Sequence, residues 1–141
     1  MSIRVTLGGW AVQRADAQAV RLEVFVQEQK VPLDMEWDEM DARCTHAVAY
    51  DGEGRAVGTG RLLPDGHIGR MAVRKPARGT GIGALLLEAL VEAARQRGDR
   101  EVMLNAQTQA EPFYLRHGFV REGEVFMEAG IPHIHMRRPL T

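Results

Sequence analysis

Cysteine is nearly missing from this sequence of 141 residues, which contains only Cys44. One cysteine excludes an internal disulfide and any metal site built from several thiolates, and it fits a reducing compartment. The first ten residues lack the apolar run of a signal peptide. No segment approaches the roughly 18 consecutive apolar residues of a membrane-spanning helix. These absences predict a cytoplasmic protein with no membrane partner.

The chain also lacks an excess of charge of either sign. It has 18 basic and 19 acidic residues and a formal net charge of −1. No overall field attracts nucleic acid, so no nucleic-acid partner is expected. Lysine is scarce, since Lys30 and Lys75 are the only two and the other basic residues are arginines. Arginine is the better bidentate phosphate ligand, but its excess is equally consistent with compositional bias.

Linkers, repeats and low-complexity segments do not occur in the sequence. Hydrophobic residues make up 45% and charged residues 26% of the chain, which is typical of a folded globular protein rather than a disordered one. The length suits one hydrophobic core. We therefore expect a single domain over residues 1–141.

Hydrophobic periodicity predicts alternating strands and helices. Asp16 is expected to cap the first helix, residues 51–54 suit a hairpin turn, and Gly98 suits the end of a long central helix. The order βα-βββ-αβαββ indicates an α/β fold with a mixed sheet and a crossover helix. The predicted strands cover 3–7, 45–50, 55–63, 67–73, 102–107, 120–128 and 134–137, and the predicted helices cover 16–29, 84–97 and 110–117.

A glycine-rich loop, Arg78-Gly79-Thr80-Gly81-Ile82-Gly83, separates a predicted strand from the long helix. Closely spaced glycines let a ligand approach the backbone. The free N–H groups and the dipole of a helix N-terminus favour an anion. The loop therefore predicts a phosphate or pyrophosphate site, with a turn that binds nothing as the alternative.

Three kinds of phosphate site use such a loop. A Walker loop requires a lysine directly after the last glycine, and none follows Gly83. The dinucleotide fingerprint is matched by Gly79, Gly81 and Ala84, but residues 74–78 intervene after the strand, and too little chain remains for a doubly wound sheet. The third kind is an acyl-CoA site.

Two segments carry a family resemblance. Arg78-x-x-Gly81-x-Gly83 resembles the (R/Q)-x-x-G-x-(G/A) motif of the GCN5-related N-acetyltransferases (GNAT), and residues 110–119, AEPFYLRHGF, resemble the AxxFYxxxGF segment of that family. Residues 21–32, the acidic stretch 36–41 and residues 128–133 look like its ElaA/YjcF-like branch. The resemblance implies one N-acetyltransferase domain with a twisted mixed sheet splayed at its centre and flanking helices. It also implies acetyl-CoA as donor and a small amine as acceptor.

The resemblance also implies a donor site. Backbone N–H groups of residues 79–84 would hold the pyrophosphate, and backbone groups of β-strand residues 71–73 would pair with the pantetheine arm. Gln107 stands where many members have an asparagine that contacts this arm, with its amide one methylene further out. The implied donor-site residues are Met71, Ala72, Val73, Arg78, Gly79, Thr80, Gly81, Ile82, Gly83, Ala84, Gln107, Phe113, Tyr114 and Arg116.

The expected chemistry needs an amine that loses a proton and a thiolate that leaves. Tyr114 matches a family tyrosine that lies near the CoA sulfur and can protonate the thiolate; an ordinary core tyrosine is the alternative. Glu36 and Asp38 are predicted catalytic residues, as candidates for the general base. They lie in an acidic stretch that is either a solvated loop or the entrance to a site that attracts a cationic amine, with Trp37 as a candidate cation–π contact. Other candidate bases are Asp41, His46, His67, Glu128 and a water chain, and the predicted acceptor-binding residues are Arg21, Glu28 and Asp41.

Several functions remain open at this level. The leading one is transfer of an acetyl group from acetyl-CoA directly to the amine of a small molecule. The alternatives are an acyl-CoA-binding sensor without turnover, a protein or peptide N-acetyltransferase, and a dinucleotide oxidoreductase. His133 and His135 would begin a zinc site, but no third ligand is evident and no metal is expected. An exposed final strand would allow a homodimer.

Overall fold

The predicted alternation of strands and helices is realised in a computed structural model that describes residues 2–31, 33 and 38–140. The strands are β1 (Arg4–Gly8), β2 (Thr45–Tyr50), β3 (Ala56–Leu62), β4 (Ile68–Val73), β5 (Glu101–Gln107), β6 (Val120–Glu128) and β7 (Ile131–Pro139). The α-helices are α1 (Trp10–Arg21), α2 (Ile82–Arg97) and α3 (Glu111–Arg116), joined by a π-helical segment (Leu22–Glu28) and 3₁₀ turns (Glu39–Arg43, Lys75–Ala77, Thr108–Ala110). None of the helices described is long and apolar enough to cross a membrane.

The strands form two antiparallel sheets that diverge from a shared point. One sheet has the order β1-β2-β3-β4 and the other the order β5-β7-β6. A single parallel bridge between His67 and Met103 joins them, and α2 provides the crossover from β4 to β5 that a parallel connection requires. The predicted mixed sheet, splayed at its centre, is confirmed.

Helices cover both faces of the first sheet. Met71 packs into a large apolar cluster around α2. Its neighbour Ala72 packs with Val20, Val24 and Phe25 of the first helical unit, which consists of α1 and the π-helical segment. Because successive side chains of a strand point to opposite faces, α1 and α2 lie on opposite sides of β4. This arrangement leaves the outer edge of β4 uncovered by either helix.

A bulge distorts β4 next to that edge. Thr59 pairs with Ala72 and Arg61 with Gly69, so Arg70 and Met71 together oppose Gly60. An extra residue of this kind bends the strand, and Arg70 adopts the left-handed φ of 50° that the bend demands.

Gly60 leaves the space into which the bulge and α2 pack. A Cβ at this position would lie 2.5 Å from Sδ of Met71 and 2.9 Å from Cδ1 of Leu90. Gly60→Ala is therefore expected to lower the free energy of unfolding by about 1–3 kcal/mol, the usual cost of overpacking, measured by urea denaturation. Gly69→Ala is the matched control, because a Cβ there meets no described atom within 4 Å. Equal midpoints for the two variants would contradict the requirement for glycine at position 60.

The start of the first helix and the bounds of the last strand differ from those predicted. The first helix begins at Trp10 rather than Asp16, with the Gly9 carbonyl accepting from the Gln13 N–H at 3.1 Å. Asp16 lies inside this helix and accepts a hydrogen bond from the Tyr50 hydroxyl at 2.6 Å. The early turns were missed because their buried face carries polar Gln13 while apolar Val12 is exposed, which hides the helical period.

The final strand is also longer and more central than predicted. β7 covers Ile131–Pro139 rather than 134–137 and lies between β5 and β6. Both of its edges are paired, so the free edges of this sheet belong to β5 and β6 and not to the last strand.

Candidate functional site

A cleft of about 520 Å³ opens where the two sheets diverge. β4 and β5 are edge strands of their own sheets. Residues 68–71 form one wall of the cleft, and Leu104, Asn105 and Gln107 form the facing wall. The first helical unit, α3 and the β6–β7 hairpin complete the lining. Unpaired backbone groups of an edge strand can bind an extended ligand as an added strand. The cleft is therefore shaped for a long, flexible ligand.

The glycine loop lies between β4 and α2 with its backbone uncovered. Gly79 and Gly81 have φ values of 80° and 85°, which favour glycine. A Cβ at either position would meet no described atom within 4 Å. α2 begins directly after Gly81, so its first N–H groups and its dipole face this open cradle. These residues fit a pyrophosphate group.

Arg78 and Glu28, predicted for different ligands, are brought together. The Arg78 guanidinium donates to both Glu28 carboxylate oxygens at 2.8 and 2.7 Å, and its Nε donates to the Val73 carbonyl at 2.8 Å. The hydrogen bond from Arg78 holds the pKa of Glu28 below its usual range. The pair joins the glycine loop to the end of the π-helical segment.

Tyr114 lines the cleft from α3. Its ring packs edge-to-face against Phe113 and Phe119, with centroids 5.1 and 5.8 Å away. Burial raises the pKa of Tyr114 to about 12, so its hydroxyl keeps its proton at neutral pH and can donate a hydrogen bond into the cleft. Phe113 also contacts the start of α2, 3.6 Å from a Cβ built on Gly83. Arg116 is exposed on α3.

Gln107 spans one end of the cleft. Its side-chain amide donates to Oε1 of Gln29 at 3.0 Å, and its own Oε1 accepts from Gln109 at 2.6 Å. The hydrogen bond between Gln107 and Gln29 joins β5 to the residue that directly follows the π-helical segment. Both glutamines line the cleft, as does Tyr114.

Of the two predicted catalytic carboxylates, Glu36 and Asp38, the structure describes only Asp38. Glu36 lies outside the described residues, as does Trp37. Asp38 accepts from Arg61 at 2.8 and 2.9 Å and from Arg70 at 3.3 Å. The hydrogen bonds from Arg61 hold the pKa of Asp38 below its usual range. Its carboxylate is therefore a weaker base than a free one.

A charge cluster with a buried centre adjoins the cleft. Asp41 accepts from Arg21 at 2.9 and 3.2 Å and from Arg61 at 2.8 Å, and the Arg21 and Asp41 side chains are only 1% and 3% exposed. Although burial alone would lower it, the hydrogen bonds to Asp38 and Asp41 hold the pKa of Arg61 above its usual range. The members are Arg21, Asp38, Asp41, Arg61 and Arg70. Only Arg61 and Arg70 of these line the cleft.

The remaining candidate bases divide by position. His46 is buried beneath the cluster, where its Nε2 lies 2.8 Å from the Asp41 carbonyl and burial lowers its pKa. His67 and Glu128 line the cleft, and so does His133. Sequence reasoning considered His133 only for zinc. The signal that indicates its position is the tight turn Ala129-Gly130, which folds residue 133 back beside Glu128.

Metal and thiol chemistry find no support in the side chains described. No group of three or more His, Cys, Asp or Glu residues is placed to hold a metal within residues 2–31, 33 and 38–140. His133 Nδ1 lies 2.7 Å from the Ile131 carbonyl and His135 Nδ1 lies 2.9 Å from Oδ1 of Asn105. Burial raises the pKa of Cys44 to about 11, so its thiol stays protonated and is a poor nucleophile.

A splayed sheet with a glycine cradle at one end and a protonated tyrosine at its opening defines an acyl-CoA-type acyltransferase site. Residues 12–140 match the family model described as an acetyltransferase (GNAT) domain, and the chain belongs to this family. The ElaA/YjcF-like resemblance is confirmed by relatives of both kinds. The chain is 45% identical over 130 residues to the uncharacterized N-acetyltransferase YjcF of Bacillus subtilis, covering 89% of this chain and 92% of that protein.

Two solved structures extend the similarity to the fold. An acyl-CoA N-acyltransferase from Pseudomonas aeruginosa superposes with a TM-score of 0.86 and 36% identity, over 97% of this chain and 99% of that chain. Escherichia coli ElaA superposes with a TM-score of 0.85 and 29% identity, over the same shares. The protein is thus an acyltransferase of the GNAT type.

Proposed function

We propose that this protein transfers an acetyl group from acetyl-CoA directly to the amine of a small-molecule acceptor. The observation that supports this most strongly is the opening between the free edges of β4 and β5, which Tyr114 lines. A thioester placed there would have its sulfur near a protonated donor and its carbonyl near strand N–H groups. Both features stabilise charge that develops during acyl transfer.

In this proposal the donor occupies the side of the cleft that leads to the glycine loop. Backbone N–H groups of residues 79–84 hold the pyrophosphate, residues 71–73 pair with the pantetheine arm, and Gln107 reaches the same arm after releasing Gln29. Phe113 supports the loop by packing against its helix. Arg78 and Arg116 face the phosphates.

The acceptor occupies the opposite side, bounded by the first helical unit and the β6–β7 hairpin. Asp38 and Asp41 hold Arg61 and Arg70 against this side through the hydrogen bonds described above. The low pKa of Asp38 argues that it acts by positioning Arg61 rather than as the base. Arg21 supports the same cluster from α1, and Glu28 acts through Arg78.

Thiol release from acetyl-CoA, measured against a panel of small primary amines, tests the proposed function. We expect release that depends on at least one amine and produces its N-acetyl derivative. Tight CoA binding without release would instead indicate a sensor module. Release only with peptides would indicate a protein or peptide N-acetyltransferase, and binding of NADH but not CoA would indicate an oxidoreductase.

The Arg78–Glu28 pair predicts opposite effects on CoA affinity. Glu28 competes with a phosphate for the Arg78 guanidinium, so Glu28→Gln is expected to tighten CoA binding about two- to fivefold, within the range of exposed ion pairs. Arg78→Gln is expected to weaken it about tenfold, because a charge-assisted hydrogen bond is lost. Calorimetric titration with CoA at low salt measures both effects.

Glu92→Gln is the control for these variants, because Glu92 pairs with Arg95 on the exposed surface of α2. Its CoA affinity should equal that of the wild type. If Glu28→Gln and Arg78→Gln also bind CoA like the wild type, Arg78 does not face the phosphates.

A further inference from the structure

The β6–β7 hairpin brings a carboxylate and an imidazole to the acceptor side of the cleft. Ala129 and Gly130 have φ values of 52° and 76°, as in a tight two-residue turn. In the resulting register Glu128 opposes Ile131 and Phe126 opposes His133. Because paired residues of antiparallel strands share one face, Glu128 and His133 project from the same face. Both line the cleft.

His133 occupies a central place in its sheet. On one side it pairs with Gln107 of β5, and on the other its ring stacks on Phe126, with centroids 5.9 Å apart. Its side chain is 8% exposed, against 49% for Glu128. The imidazole is therefore held by packing, while the carboxylate reaches solvent.

Hydrogen bonding fixes the tautomer of this ring. Nδ1 lies 2.7 Å from the Ile131 carbonyl oxygen. A carbonyl only accepts, so Nδ1 carries the hydrogen, and the lone pair of the neutral ring lies on Nε2. That nitrogen lies 3.5 Å from Oε2 of Glu128. A proton taken up on Nε2 would thus meet a carboxylate.

The charges that line the cleft favour a cationic amine next to Glu128 and His133. Glu128 is the only carboxylate among the described lining residues, and the other titratable or charged groups there are Arg61, His67, Arg70 and Tyr114. The two guanidinium groups are paired with aspartates of the charge cluster. A cationic ammonium group entering the cleft is therefore drawn to Glu128, beside Nε2 of His133.

We propose that His133 is the general base of acetyl transfer and that Glu128 positions the ammonium group and stabilises the imidazolium. This assignment rests on the proposed function. The acceptor ammonium group loses one proton before its nitrogen forms a bond to the acetyl carbon, and a second proton as the carbon–sulfur bond breaks. Nε2 of His133 takes the first proton and passes it to water. The second replaces the proton that the Tyr114 hydroxyl donates to the departing sulfur.

The pH dependence of kcat/KM for an amine found in the panel tests this assignment. His133→Gln is expected to lower kcat/KM about 10²–10³-fold at neutral pH, as for loss of a general base. It should also remove the acid limb of the pH–rate profile, the fall in rate at low pH, because a protonated Nε2 cannot accept the proton of the amine. Glu128→Gln is expected to lower kcat/KM chiefly through a higher KM for the amine, because the ammonium group loses the carboxylate that draws it into the cleft.

His135→Gln is the matched control, since His135 lies on the same strand but not among the cleft residues. CoA affinity, measured for every variant, reports whether the donor site still folds. A His133→Gln enzyme with the wild-type acid limb and turnover overturns the assignment, because packing on Phe126 would then be the whole role of this histidine.

A second measurement needs no acceptor. Nitrogen-15 NMR can locate the hydrogen of the neutral His133 ring, whose signal is identified by its loss in His133→Gln. We expect this hydrogen on Nδ1. A hydrogen on Nε2 would overturn the proposed role of His133. If the His133 hydrogen of the wild type lies on Nδ1 but none of the amines causes thiol release, then the proposed function fails and the base assignment fails with it. If release occurs and the acid limb does not depend on His133, only the assignment fails.

Discussion

Replacing Tyr114 with Phe is expected to lower kcat more than tenfold and to leave acetyl-CoA affinity nearly unchanged. The substitution removes one hydroxyl from the cleft lining and retains the ring that packs against Phe113 and Phe119. A donor that acts only on the departing thiolate contributes to the transition state and not to ground-state binding, so kcat carries the loss. Steady-state kinetics with a saturating amine, together with calorimetric CoA titration, measure the two effects.

The raised pKa of Tyr114 adds a condition to this result. A phenol can donate a proton only while it is protonated, and burial raises the pKa of Tyr114 to about 12. Deprotonation of Tyr114 should therefore cause no loss of wild-type activity up to about pH 10, well above the neutral range.

Tyr50→Phe is the matched control, because the Tyr50 hydroxyl binds Asp16 and Tyr50 does not line the cleft. It should keep wild-type turnover. Unchanged turnover of Tyr114→Phe at saturating substrate would remove this residue from the mechanism.

Asp41→Asn is expected to destabilise the protein by about 3–5 kcal/mol, the usual cost of removing one partner from a buried ion pair. Asp41 accepts hydrogen bonds from two arginines, Arg21 and Arg61, which are both buried. The variant leaves their two positive charges close together with one carboxylate fewer. Neither guanidinium can lose its proton at accessible pH, so the repulsion is not relieved. The free energy of unfolding from urea titration measures the loss.

Glu92→Gln provides the comparison for this variant, because Glu92 and Arg95 form an exposed pair with side chains 46% and 42% exposed. Its effect should stay below about 1 kcal/mol. A loss of similar size in Asp41→Asn would show that Arg21 and Arg61 do not depend on this carboxylate.

Much of the fold follows from local sequence. The strands predicted over 45–50 and 120–128 have the same bounds as β2 and β6, and Gly98 ends α2 with a left-handed φ of 94°. These features depend on neighbours within a few residues, so composition and periodicity predict them. The first helix was misplaced because polar Gln13 and Arg21 lie on its buried face. Their burial is explained by distant partners, such as Thr6 and Asp41.

The site divides in the same way. The glycine loop and the segment around Tyr114 are contiguous motifs, and their positions at the start of α2 and on α3 agree with the sequence. The grouping of Arg78 with Glu28, and of Gln107 with Gln29, joins residues 50 and 78 positions apart. No local pattern encodes such pairs. The closeness of Glu128 to His133 likewise depends on a particular hairpin register.

By itself, the sequence determined the order of the elements and the glycine-rich loop before α2, because turns, helix starts and strand periods are set by adjacent residues, and its motifs carried the family resemblance. Tertiary structure alone decided the divergence of β4 and β5, the burial of the charge cluster and the pairing of Glu128 with His133. Those features arise where distant segments exclude water together. Burial changes which charges need partners, and therefore which acidic residues are tied to arginines and which side chains face the cleft.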